Sequence, residues 1–584
     1  MAAMKHSTAA LAALLAFLLP SAASAKEQTK DQGMVSAADP RAAAAGAEIL
    51  REGGTAADAA IAMMAALGVV EPGHSGIGGG GFMVYYSAGQ HKTFGYDARE
   101  AAPMAADDRW FFGPDGKPMP IYQAIPGGRS VGVPGELRLM EIAHEKHGKL
   151  AWSRLFQPAI RLAADGWKIT PRLYNFAARS PKGFLTGWPT TYLFNPDGTA
   201  KPAGTTVKNP DLAALLGQIA AHGPDYLYTG PVARNIVATV NGAARNPSKM
   251  TVGDLAAYQA HERAPVCGTY RSYRICGMAP PASGGVSVLQ ILKQLERFDM
   301  AKLGKDSPIA WHLFAQSSRL AYADRDAWLA DPDHVKVPVA GLLAPDYIAA
   351  RSALISEAAG SARAEPGKPA GAPQFARAEP QPEHGTSDLV AVDRWGNVAQ
   401  ATVTIESVFG SGLTTNGFFL NNQLTDFNLN PVRDGYLTAN RVEGGKRPRS
   451  SMSPTIVYDA EGKVRLAIGA AGGSTIIAQV AKALIAVLDW GMSAQDAIAL
   501  GLVYAPGPTT VLEKGTAAEA LAPRLQALGE QVTIAPLGLK ANAIERVGGT
   551  WMGAADPRSE GVAMREDGEV RAIIRANDPN RPSE

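Results

Sequence analysis

Residues 384–406 read HGTSDLVAVDRWGNVAQATVTIE. From Thr386 on, apolar and β-branched residues run through TSDLVAVD and NVAQATVTI, with DRWGN as the turn between them. That pattern predicts a β-hairpin. What precedes it is very different. SEAAGSARAEPGKPAGAPQFARAEPQPEHG is rich in Ala, Pro and Glu and poor in large apolar residues. Such a stretch buries little and reads as an exposed, poorly ordered linker, 356–385. The boundary between the two regimes falls at Gly385-Thr386.

Working outward, the strand-like pattern continues in GFFLNN, SPTIVYD and VRLAIGAAG. GGSTIIAQVAKALIAVLDWG then returns to helix. On the N-terminal side, DPRAAAAGAEILREGG predicts a helix with Asp39 as N-cap, Pro40 at the first helical position and Gly53-Gly54 as its stop. Thr55 opens a second, alanine-rich helix with Asp58 three residues later. Gly76 and Gly78 to Gly81 lead into a strand at 82–86 rather than a helix, and no Lys-Ser/Thr follows. Close backbone packing fits them better than a phosphate cradle. Much of 134–350 has helical patterning. Helices before and after a block of strands predict sheets covered by helices.

The 584 residues are 46% hydrophobic and 19% charged, with a formal net charge of +2. This is ordinary globular composition, without the basic footprint of a nucleic-acid binder. Lys5 and His6, the apolar run Ala9 to Pro20 and Ala23-Ser24-Ala25 form a signal-peptide pattern over 1–25. The run is shorter than the ~20 residues that span a bilayer. The expected product is exported to the periplasm or beyond, beginning near Lys26. Cys267 and Cys276 are the only cysteines. They fall opposite each other in a hairpin turning at Arg271-Ser272, which leaves two readings, a disulfide or two unpaired thiols.

Cleavage before Thr386 would place a hydroxyl and a free α-amine on one residue. An α-amine titrates at about 7.7–8.0 and can act as base for its own hydroxyl. Gly385 supplies the backbone freedom that a self-cleaving bond needs. The local residues alone favour the plainer reading, a linker running into an edge strand.

Larger segments change that balance. HGTSDLVAVDRWGNVAQATVTIESVFGSGL, GFFLNNQLTDF, GKRPRSSMSPTIV and GAAGGST resemble the small subunit of the γ-glutamyltransferase family. GIGGGGFMVYY, YDAREAAP and GVPG (132–135) resemble its large subunit. The likeness runs in order from about residue 35 to 570. It implies an α+β fold, the four-layer αββα sandwich of N-terminal-nucleophile hydrolases. It also implies a precursor that cuts itself between Gly385 and Thr386. The products would be a large subunit, 26–385, and a small subunit, 386–584.

The roles implied by the resemblance follow from the matched positions. Thr386 is the nucleophile, and Thr404 is the threonine that hydrogen-bonds it. Gly472 and Gly473 are the glycines whose N–H groups form an oxyanion hole. Arg99, Ser450 and Ser451 hold the substrate's α-carboxylate, and Gln423 and Asp426 hold its α-ammonium. Guanidinium suits a carboxylate, and a carboxylate suits an ammonium. The implied reaction is γ-glutamyl transfer or hydrolysis through an ester on Thr386. Glutathione and other γ-glutamyl amides would be donors, and water, amino acids or peptides acceptors. It requires neither a metal nor an organic cofactor.

Three positions depart from the family's pattern. Asp388 stands where histidine is common, Glu406 where an asparagine contacts the substrate amine, and Ala471 where proline is frequent. Glu406 and Asp426 would put two carboxylates around one ammonium. The segment 427–446 resembles the lid region but lacks the long lid. Two other readings remain open at this point. One is a glutaryl-type (cephalosporin) acylase on the same scaffold. The other is an inactive exported binding protein that stays a single chain.

Overall fold

The structure is a computed structural model describing residues 32–181, 183–185, 187, 189–358, 364–379 and 385–572. The expected signal peptide, His384 and the linker stretches 359–363 and 380–384 lie outside the described residues.

Asp39 and Thr55 start two helices through their side chains. The Asp39 carboxylate accepts from Arg41 N–H at the head of Pro40–Arg51. Thr55 and Asp58 form a reciprocal capping box ahead of Ala56–Val70. Gly53, with φ at 87°, separates the helices. Ala56–Val70 is buried along almost its whole length, as apolar residues extending round much of the helix predict.

These helices cover an eight-stranded antiparallel sheet. Its spatial order is Val570–Ala572, Val562–Arg565, Met34–Ala37, Ser387–Val392, Val398–Thr404, Gly80–Ser87, Lys92–Ala98 and His261–Arg263. The strand after Thr386 is therefore central, not an edge. It lies between Met34–Ala37, pairing Ala37 with Leu389, and Val398–Thr404, pairing Val403 with Ser387. The four residues Met34–Ala37 are too few to show an alternating pattern, and nothing in the sequence reading singled them out.

A second sheet of six antiparallel strands runs Thr550–Ala555, Lys540–Val547, Val464–Ala471, Thr455–Tyr458, Tyr273–Gly277 and Val266–Tyr270. Strand alternation divides the core. Leu389 and Ala391 pack in the cluster shared with the first two helices. Val390 and Val392 join Ile456, Leu466 and Ile544 in the cluster between the sheets. That cluster continues to Gly284–Leu295, Pro308–Trp328 and Ile476–Leu488 on the far side. The layers are thus helix, sheet, sheet, helix: the expected αββα sandwich. Each buried Leu, Ile or Val adds about 1.5–3 kcal/mol.

Cys267 and Cys276 face each other across the hairpin, with Arg271 at φ 54° in its turn, and form a disulfide. The described part of the linker, 364–379, is more anchored than its composition suggested. Gly367 N–H donates to Asp324, its carbonyl accepts from the Trp328 indole, and Ala376 N–H donates to Leu437. Ala376 and Ala378 are buried. Backbone hydrogen bonds and the packing of Phe375 against two small apolar clusters hold this stretch. The lid-like segment contains a small hairpin, Val432–Arg433 with Tyr436–Leu437, whose residues are exposed. Among the described residues no helix is long and apolar enough to cross a membrane.

Candidate active site

Strand register brings the two threonines together. Ser387 pairs with Val403, so Thr386 and Thr404, one residue beyond, meet at the end of the ladder. Their hydroxyl oxygens are hydrogen-bonded at 3.3 Å. Thr404 Oγ1 also accepts Glu406 N–H at 2.8 Å. Thr386 is buried and has φ at 109°, a region a β-branched residue rarely adopts. Such a conformation stores about 1–3 kcal/mol. Cutting the 385–386 bond would remove the torsion that holds it.

Gly385 is required by space as well as by conformation. Its φ is 78°, and a Cβ there would sit 1.9 Å from the Glu406 carbonyl oxygen. Gly385→Ala is expected to displace the scissile carbonyl from the Thr386 hydroxyl. A shift of about 1 Å costs on the order of 10²-fold in rate. A time course of precursor disappearance on a denaturing gel tests this, and an unchanged rate would count against the close fit.

Thr386 opens onto a narrow cleft lined by Arg99, Thr404, Glu406, Gln423, Asp426, Ser450, Met452, Gly473 and Ile476. Larger surface hollows lie elsewhere, one of them beside Tyr122 and Arg245. They hold none of the expected site residues.

One end of the cleft carries opposite charges. Arg99 is almost fully buried. Its Nε donates to the Pro448 carbonyl at 3.1 Å, and Nη2 donates to the Arg449 carbonyl at 3.0 Å and to Asp426 Oδ2. Gln423 Nε2 donates to the same Asp426 oxygen at 2.9 Å. The Gln423 side-chain oxygen, Oε1, is buried without a hydrogen-bond partner among the described residues. A buried acceptor left unsatisfied costs about 1–3 kcal/mol, so this atom favours a donor arriving from outside. Glu406, with φ at 75°, has Oε2 accepting from Asn422 Nδ2 at 2.6 Å and from Ser407 Oγ at 2.5 Å. Glu100 sits behind Arg99, with 3.8 Å between its Oε2 and Nη1. Burial outweighs the Arg99 charge and pushes its carboxyl up to about 8, so at neutral pH it is mainly protonated.

The other wall is a glycine turn. The strand Val464–Ala471 ends at Gly472 (φ 128°), and Gly473 (φ 60°) opens the helical turn before Ile476–Leu488. A Cβ on Gly472 would meet Thr475 Oγ1 at 2.7 Å. Amides at a helix start lack intrahelical acceptors, which suits them to an oxyanion. Tyr504 donates to Ser474 Oγ at 2.8 Å and supports the turn. Gly473 lines the cleft; Gly472 and Ser451 are adjacent in sequence to lining residues without lining it themselves.

Asp388 lies elsewhere. It is fully buried between the sheets and accepts from Thr402 Oγ1 at 2.8 Å and from Gln400 Nε2 at 3.0 Å. Burial pushes its carboxyl well above the usual range despite those bonds. Of the two acidic departures near Thr386, only Glu406 touches the cleft.

Sequence reasoning missed a second group behind Thr386. Lys540 Nζ donates to Glu71 Oε2 at 2.8 Å and Oε1 at 3.0 Å, and Ser387 Oγ donates to Glu71 Oε2 at 2.6 Å. Lys540 is paired in the second sheet with Ala471, next to the glycine turn. Glu71 closes the helix Ala56–Val70. One buried ion pair therefore ties together the strand that follows Thr386, the glycine turn and a covering helix. No motif marks residues so far apart in sequence.

A model of the family described as Gamma-glutamyltranspeptidase matches residues 42–565. The chain belongs to the γ-glutamyltranspeptidase family. It is 35% identical over 545 residues to the glutathione hydrolase proenzyme of Bacillus subtilis (strain 168), covering 91% of each chain. It is 36% identical over 542 residues to the glutathione hydrolase proenzyme of Escherichia coli (strain K12), covering 90% of each. Among solved structures it is similar to a cephalosporin acylase from Bacillus halodurans. That match has a TM-score of 0.80 and 25% identity, over 91% of this chain and 96% of the other. As a γ-glutamyltranspeptidase-family member the chain is an enzyme of the N-terminal-nucleophile type.

Proposed function

We propose that this enzyme cuts itself before Thr386 and then transfers γ-glutamyl groups to water or to amine acceptors, with glutathione and related γ-glutamyl amides as donors. The observation that carries the donor assignment is the Arg99–Asp426 pair with the unsatisfied Gln423 Oε1 beside it. A γ-glutamyl group ends in an α-carboxylate and an α-ammonium. Entering between Arg99 and Asp426, it exchanges one ion pair for two and gives Gln423 Oε1 a donor.

Thr386 Oγ attacks the γ-carbonyl carbon while the Thr386 α-amine takes its proton. Gly472 and Gly473 N–H groups hold the oxyanion; losing one such donor typically costs about 2.7–4 kcal/mol. The C–N bond breaks, and the leaving amine departs with the proton held by the α-ammonium. The resulting ester on Thr386 is opened by water or by an acceptor amine, with the α-amine again as base. Thr404 orients the hydroxyl. Maturation uses the same oxygen against the Gly385 carbonyl. We further propose export of the mature protein to the periplasm after removal of residues 1–25.

A glutaryl-type acylase is the second reading, favoured by the likeness to the cephalosporin acylase. A glutaryl group has the carboxylate but no α-amine, and would bring no ammonium to Asp426 and no donor to Gln423 Oε1. Comparing γ-glutamyl-p-nitroanilide with glutaryl-p-nitroanilide separates the two. The expected preference for the γ-glutamyl compound is about 10²-fold or more in kcat/KM. Asp426→Ala is expected to erase that preference by lowering the γ-glutamyl rate alone. Preferential turnover of the glutaryl compound by the native enzyme would overturn the γ-glutamyl assignment.

A further inference from the structure

The loop bearing Ser450 and Ser451 is held by a guanidinium from a distant helix. Arg325, on Pro308–Trp328, is 3% exposed. Its Nη2 donates to Ser451 Oγ at 2.7 Å and its Nε donates to Ser283 Oγ at 2.9 Å. Ser283 passes that contact on, because its hydroxyl and its N–H both donate to the Ser450 carbonyl, at 2.6 and 2.7 Å. Ser450 N–H in turn donates to the Pro281 carbonyl at 3.0 Å. Arg449 Nη1 donates to the Arg325 carbonyl at 3.1 Å, and the Arg449 carbonyl accepts from Arg99. One planar fork thus reaches Ser451 directly and Ser450 through Ser283, and the chain of contacts ends on Arg99.

The chemistry of the contact gives it a direction. A serine hydroxyl has one proton and two lone pairs. A charged N–H on one lone pair fixes the rotamer and leaves the proton as what the hydroxyl contributes. Accepting from a cation also polarises the O–H bond and strengthens it as a donor. Lysine, a point charge with rotating donors, does not reproduce a two-pronged planar contact.

We propose that Arg325 is a positioning residue for the carboxylate end of the donor: it locks Ser451, and through Ser283 the Ser450 backbone, so that the Ser450 hydroxyl, which lines the cleft, donates to the α-carboxylate bound by Arg99. This rests on the reading of that end of the cleft given above. Arg325 contacts no reacting atom, so its loss acts through donor binding rather than through the nucleophile.

The test compares γ-glutamyl-p-nitroanilide with 4-aminobutyryl-p-nitroanilide, the same donor without its α-carboxylate. The matured native enzyme is expected to favour the first. In Arg325→Lys, kcat/KM for the γ-glutamyl compound is expected to fall about 10- to 100-fold, mostly through KM. The 4-aminobutyryl rate should stay within about threefold, so the preference shrinks. Equal losses on both substrates would overturn the positioning role and leave Arg325 as a structural group. Should Arg325→Lys fail to fold or mature, Ser283→Ala removes only the relay. It is expected to narrow the preference about fivefold, and an unchanged preference would overturn the proposal. A native enzyme with no preference between the two substrates would instead refute the carboxylate assignment of the cleft, and the Arg325 role with it.

Discussion

Thr386→Ala is expected to yield a single uncut chain with γ-glutamyl turnover reduced by at least about 10⁴-fold, in line with removal of a nucleophile. The native protein should separate on a denaturing gel into two pieces, the smaller beginning Thr-Ser-Asp-Leu. In the proposed mechanism Thr386 supplies the attacking oxygen for both the Gly385 carbonyl and the donor, and after cleavage its own amine supplies the base. Alanine keeps the fold's demands almost unchanged, because the side chain lost is small and sits at a cleft. It removes both chemistries at once. Thr386→Ser is expected to retain cleavage at a reduced rate, since it keeps the hydroxyl and loses only the methyl that helps fix χ1. A Thr386→Ala chain that still matures, or a native chain that stays whole yet is fully active, would sink the mechanism.

Lys540→Met should be the most damaging substitution for stability away from the cleft. Methionine replaces the stem's bulk but leaves the Glu71 carboxylate buried and unpaired. Breaking a buried pair in this way costs about 3–5 kcal/mol. Burial works against the Glu71 carboxylate, yet the Lys540 ammonium, with smaller contributions from His74 and Arg172, holds its pKa down at about 2. Burial likewise lowers Lys540, and Glu71 opposes that. A carboxylate depressed on folding stabilises above its unfolded value of 4.5, and that contribution is lost as pH falls toward 2. In Lys540→Met the sign reverses. Burial raises Glu71 above its unfolded value, so its penalty is largest at neutral pH and fades as it protonates. The difference in thermal midpoint between native and variant proteins should therefore be large at pH 7 and shrink as pH falls, first above 4.5 as Glu71 protonates in the variant and then below 4.5 as the native contribution is lost. An equal deficit at pH 4 and pH 8 would mean that the charge pair is not the cause. Since Ser387 donates to Glu71 and Lys540 adjoins the glycine turn, kcat should fall in the same variant even where it remains folded.

The fold was legible where local patterning is strong. The caps at Asp39 and Thr55, the hairpin between Cys267 and Cys276, and the strands on either side of DRWGN all follow from short-range rules. The strand Met34–Ala37 did not show, because four residues carry too little periodicity. The anchoring of 364–379 did not show either, because its bonds run through backbone groups that composition cannot reveal.

The site divides along the same line. Sequence pointed to Gly385-Thr386, the glycine turn at 472–473 and the charged residues Arg99, Glu406 and Asp426, because each lies in a short segment that resembles the family. Tertiary structure decided how they act together. Register placed Thr386 beside Thr404, and the fold joined Arg99 to Asp426 across more than three hundred residues of chain. It also separated Glu406, which faces the cleft, from Asp388, which alternation turns into the space between the sheets. The positive φ of Thr386, the Glu71–Lys540 pair and the reach of Arg325 to Ser451 exist only once distant elements pack, because strain and buried charge pairing are properties of three-dimensional neighbours rather than of residues in a row.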